Sequence, residues 1–184
     1  MNLRQLRPSF KHQGSEEGFS LLEMIIASAI LMVGILSVVQ LVPVSLRSNL
    51  RNRMDTMATV IAQRELDQML AHVQSCPPQG PCSFTDNDGN SVSLGGAGST
   101  GAPVVMQGAT AVIDFSAGPV SGFNIPNYQD RNDPTGSTFE LRWAVFVVIN
   151  NNNSVVGWRI ILGCRQTNTS QPMLPVSLDT SVQR

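Results

Sequence analysis

The chain has 184 residues, of which 42% are hydrophobic, and a formal net charge of −1. That is room for one modest globular domain plus something more, and it excludes a chain too polar to fold. Near-neutral charge with a single lysine, Lys11, gives no basic surface for nucleic acid, and none is expected as a partner.

The chain opens on a short polar stretch with Arg4, Arg7 and Lys11, and then turns apolar. Met24 to Leu46 is a run of 23 residues with no formal charge. As a helix it covers ~34 Å at ~1.5 Å per residue, enough to cross a bilayer core. The run is too long for a cleaved secretory signal, and its one small triplet, Ala27-Ser28-Ala29, lies inside it. Arginines follow it at 47, 51, 53 and 64, so positive charge stands on both sides and does not orient the span. One acidic residue, Glu23, stands at its head. A carboxylate there costs roughly 3 kcal/mol in hydrocarbon and calls for a partner.

The helical pattern continues past the run. Leu50, Met54, Met57 and Ile61 step by four, three and four, and Ala62, Leu66, Met69 and Val73 repeat the rhythm. This predicts an amphipathic helix ended by Pro77-Pro78. From Phe19 to Gln74 the helix would extend ~84 Å. Pro43 removes one backbone donor and predicts a kink or local melting over 40–43.

Residues 75–110 are rich in Gly, Ser, Pro and Thr and read as loops. In the stretch TDNDGNS, Asp86, Asp88 and Asn90 alternate as in a calcium loop. Gly89 comes one place early and the closing glutamate is missing. The better reading is a turn joining strands at 83–85 and 91–94, and no metal site or cofactor is expected. Short strand TAVIDFS (110–116) follows. The segments 138–149 and 155–164 form the strongest predicted hairpin, turning at 150–154. Phe139, Leu141, Trp143 and Val145 share one strand face, and Trp158, Ile160 and Leu162 share the other. The faces coincide with Val145 opposite Trp158 and cover the helix stripe from Ile61 to Val73, with both tryptophans as core anchors. Residues 165–184 read as an irregular polar tail.

The hexapeptide Gly18-Phe19-Ser20-Leu21-Leu22-Glu23, followed by the apolar run, resembles the class III signal of type IV prepilins and type II secretion pseudopilins. The resemblance is close over residues 18–46, extends as a long helix to about 75, and is architectural beyond. It implies an α+β pilin fold, a long N-terminal transmembrane and amphipathic helix packed on a small antiparallel β-sheet. The segments would be a leader at 1–18, a membrane and filament-core helix at 19–46, an amphipathic helix at 47–75 and a β-sheet head at 76–184. It implies cleavage between Gly18 and Phe19 by a prepilin peptidase, and N-methylation of Phe19. Glu23 would pair with the Phe19 amine of a neighbouring subunit, so that each charge answers the other.

The resemblance also implies a bacterial inner-membrane protein, crossing once with its head in the periplasm, that passes into a pilus or pseudopilus. Its partners would be lipid before assembly, then major and minor pilins of a filament or tip complex and the inner-membrane assembly platform. The helix register and the hairpin are most similar to V-type minor pilins, which implies a priming or tip role. A minor pseudopilin of type II secretion is the alternative, followed by a DNA-uptake pilin.

A periplasmic head permits a disulfide. Pro77, Pro78, Gly80 and Pro81 favour a turn between Cys76 and Cys82, which makes these two the candidate bridge and Cys164 a buried thiol. The competing arrangement ties Cys164 to the end of the helix, as in many pilins. Enzymatic activity is not expected. A membrane-anchored hydrolase would depend on His72, the one histidine after the leader, and neither a nucleophile elbow nor a phosphate loop is present.

Overall fold

A computed structural model describes residues 18–77, 80–95, 100–130, 133, 136–152, 154–168 and 174–184. The leader expected at 1–18 lies, apart from Gly18, outside these residues, as do Pro78 and the glycine-rich loop at 96–99. The protein is α+β. One helix, α1 (Leu21–Val73), precedes nine strands: β1 (Cys82–Thr85), β2 (Ser91–Gly95), β3 (Thr100–Gly101), β4 (Val104–Gln107), β5 (Thr110–Ile113), β6 (Asn124–Gln129), β7 (Thr138–Ile149), β8 (Val155–Gln166) and β9 (Val176–Gln183). The chain divides into two units, with the boundary between Arg47 and Ser48.

In the first unit α1 is apolar on every side, and no residue from Leu21 to Arg47 is buried. The side chains of Ser28 and Ser37 donate back to the carbonyls of Ile25 and Val33, both at 2.8 Å. Hydroxyls satisfied within the helix suit a surface away from water. The helix is continuous through Pro43, so the local melting predicted there does not occur. The neighbouring turns hold the helix across the missing donor.

The second unit is a head built on a five-stranded antiparallel sheet. Its path runs β3-β7-β8-β9, and β6 pairs with the same edge of β7 as β3. The hairpins β1–β2 and β4–β5 are separate two-stranded sheets. The C-terminal half of α1 buries Ala58, Ile61, Ala62, Leu66, Met69 and Val73 against Phe139, Leu141, Trp143, Val145, Ile160 and Leu162. Leu50, counted in the predicted stripe, is exposed, and the packed face starts near Met57. Trp143 and Trp158 are core residues, and the Trp143 indole donates to the Ser93 carbonyl at 2.7 Å.

The long hairpin forms where predicted but pairs differently. Val145 stands opposite Ile160, and Trp158 opposite Val147. The register is two residues from the expected one, and the irregularity at Val148/Ile149 absorbs part of the turn. Because strand side chains alternate with a period of two, a shift of two keeps the same face inward. The opposite face is covered too. The β4–β5 hairpin lays Ala111 and Ile113 with Ala144 and Ile161 in a second small core. Gly163 permits this approach, since a Cβ there would fall 2.9 Å from Ile113 Cβ. Glu140 and Arg142 lie on this covered face, nearly buried. Glu140 bridges Arg142 and Arg165, each at 2.7 Å, and both guanidinium groups rest on the Phe115 ring.

The irregular tail expected at 165–184 is corrected. Strand β9 continues the sheet, pairing with β8 from Gly157 to Cys164. Its side chains alternate as Val176, Leu178, Thr180 and Val182 against Ser177, Asp179, Ser181 and Gln183. Arg159 on β8 donates to Asp179 across the pair, Nε to Oδ1 at 2.9 Å.

Candidate functional site

The sequence points to residues 18–23, and local chemistry sets their conformation. Ser20 caps α1. Its Oγ accepts from Leu22 N–H at 3.3 Å, and its carbonyl accepts from Met24 N–H at 3.1 Å. Ser20-Leu21-Leu22-Glu23 has the S-x-x-E spacing of a capping box, which places the carboxylate in the first helical turn against the positive end of the helix dipole. That signal was readable in the sequence alongside the Glu23 charge. The cap also fixes where helix stops being available: Gly18 and Phe19 are outside it, in exposed non-helical backbone, and Phe19 is 85% exposed. Glu23 is exposed, one helical turn from Phe19.

From Met24 to Leu46 the apolar side chains are exposed and find no cover among the described residues. From Leu21 through Leu46 the large ones keep between 52% and 78% of their surface open. So continuous an apolar surface exceeds anything a soluble monomer leaves in water. The helix is long and apolar enough to cross a membrane.

The remaining candidates lie in the head. Cys76 and Cys82 form a disulfide that joins the end of α1 to the start of β1. Cys164 is a free thiol with no exposed surface, opposite Leu141 and Val176 in the sheet. Burial pushes its pKa up to about 12, so at neutral pH it is not a nucleophile. His72 is exposed and stacks on Phe84, ring centroids 4.2 Å apart. The neighbouring Ser75 hydroxyl donates to the His72 backbone carbonyl, not to its ring, and the Cys76 sulfur is held by Cys82.

One buried acid escaped the reading of the sequence. Glu65 has no exposed surface and lies on the packed face of α1. Its pKa is raised to about 7, first by burial and then by the Asp86 and Asp88 carboxylates, with Arg64 opposing. The signal was its place in the stripe, one turn after Ile61 and one before Met69. No family model, curated protein or solved structure matches the chain.

Proposed function

We propose that the protein is a minor pilin of a type IV pilus, a structural subunit that helps to prime or cap a filament. The observation that carries this reading is the exposed, uncharged run Met24–Leu46, preceded by an uncoiled Gly18-Phe19 and one carboxylate a helical turn beyond. In the membrane the run is solvated by lipid. In a filament the same surface packs on the helices of other subunits. Transfer between two apolar environments changes little hydrophobic energy, so polar contacts decide position. A new amine on Phe19 would pair with Glu23 of the adjoining subunit. That pair sets axial register, because a shifted subunit leaves two charges unanswered.

Intact-mass analysis of the protein from native membranes tests the first step. Loss of residues 1–18 with one added methyl group is the expected result. Recovery of the uncut chain alone, from cells with an active prepilin peptidase, overturns the proposal.

A further inference from the structure

We infer that the head holds a hard divalent cation of the calcium type between α1 and the β1–β2 turn, on the carboxylates of Glu65, Asp86 and Asp88. One carboxylate oxygen from each lies within 4.8 Å of the other two. This inference is independent of filament assembly.

The turn alone is a poor cation loop, since it lacks a closing acid. The fold supplies that acid from the helix. Gln68, one turn after Glu65, accepts from Asn87 N–H at 2.9 Å and holds the turn against α1. Asp86 shapes the turn from within. Its Oδ1 accepts from the N–H groups of Asp88 and Asn90 at 2.9 and 2.6 Å, and its Oδ2 accepts from the Asn90 amide at 2.7 Å. The Tyr128 hydroxyl donates to Asp88 Oδ2 at 2.7 Å, and Arg64 donates to the same oxygen.

A cluster of acids is no site by itself, and Glu65 provides the decisive observation. Its Oε1 accepts from Gln68 at 3.3 Å, but its Oε2 is buried with no hydrogen-bond partner among the described residues. The side chain has no exposed surface. A buried carboxylate oxygen left unpaired costs several kcal/mol. Arg64 does not answer it, with its Nε 3.8 Å from Oε1 on the other side of the carboxylate. Glu65 therefore faces two acids and one guanidinium, with one oxygen unanswered.

A divalent cation meets this need. Calcium takes six to eight oxygens at ~2.3–2.6 Å, from carboxylates binding through one or both oxygens and from water. Asp88 is partly exposed and gives water a route to the ion. All the donors are oxygens, which selects Ca²⁺ or Mg²⁺ over thiolate- or imidazole-seeking metals. The flexible shell of Ca²⁺ suits a site made from a helix and a turn. Three carboxylates with a competing arginine suggest binding of the extracellular class, with Kd ~0.1–1 mM.

The test uses the full chain in detergent micelles, stripped with EDTA and titrated with CaCl₂ in a calorimeter, with MgCl₂ in parallel. One Ca²⁺ per chain is expected, with a rise in Tm of roughly 5 °C at a hundred times Kd. Glu65→Gln keeps the shape and removes the charge. It is expected to lower affinity at least ~tenfold while the Cys76–Cys82 bridge and the far-UV spectrum are kept. No heat and no Tm shift in the wild-type chain up to 10 mM CaCl₂, on the order of ten times the weakest expected Kd, overturns the inference and leaves Glu65 as a protonated core acid. Equal Ca²⁺ affinity in folded Glu65→Gln also overturns it.

Discussion

Helix α1 carries a glutamate in each half, and the two are opposites. Glu23 is exposed, at the capped first turn, in a region with nothing buried. Glu65 is fully buried on the packed face of α1, beside Asp86 and Asp88. The apolar residues differ in the same way. Those of the first half find no cover among the described residues, and those of the second meet the sheet. An apolar helical sequence thus specifies burial without saying by what. The pattern around it distinguishes the cases. Apolar residues on all sides call for lipid or other chains, and a stripe calls for one packed face. The two carboxylates differ with their settings: Glu23 stands in the open, and Glu65 is buried beside Asp86 and Asp88.

Substitutions separate the two halves. The largest effect is expected from Met69→Ala, which opens a cavity in the head and should cost about 2–5 kcal/mol. Denaturant unfolding of the micelle-bound chain, followed by tryptophan fluorescence, measures it. Next is Glu65→Met in EDTA. Replacing an unanswered buried acid with an apolar group should raise head stability by about 1–3 kcal/mol, and a loss of stability would put Glu65 outside any unmet charge balance. A smaller effect concerns Cys164. Its folded pKa of about 12 lies above the ordinary value of 9.0. The unfolded chain therefore loses this proton first, and the thiol's contribution, whole below pH 9, is lost as pH rises from 9 towards 12. The chain should melt progressively lower across that window, and Cys164→Ala should flatten the slope. At neutral pH the thiol should resist iodoacetamide until denaturant is added. Smallest is the first half: Leu36→Ala and Glu23→Ala should leave head unfolding unchanged. On the proposed pilin reading, Glu23→Ala should still reduce entry into filaments, measured by immunoblot of sheared pili against membranes. Wild-type incorporation would break the link between this carboxylate and assembly.

The apolar run, the stripe and the hairpin faces were legible because each is a repeat of like residues with one period. The Cys76–Cys82 loop was legible because proline and glycine fill it. Strand β9 was hidden because its inward residues include Thr180 and its outward ones are two serines, Asp179 and Gln183, a weak alternation that reads as tail. Glu140 and Arg142 suggest solvent when taken singly, yet they are covered because they pair with each other and with Arg165. Register depends on the bulge at Val148/Ile149, which leaves no mark in hydrophobicity. Glu65 was missed because a charge within a stripe is easily assigned to a neighbouring exposed face. Its role depends on Asp86 and Asp88, brought near by the fold.

The Cys76–Cys82 bridge has a mechanical consequence. On the proposed filament reading the subunit is pulled through its helix, and load leaving α1 by the backbone reaches β1 through residues 76–82. Without the bridge, those six peptide steps could pay out to ~21 Å at ~3.5 Å each before tension reached β1. The closed ring holds its ends at a Cα–Cα distance of 5.6 Å. Slack is removed at this joint, and force passes from helix to strand through a covalent link.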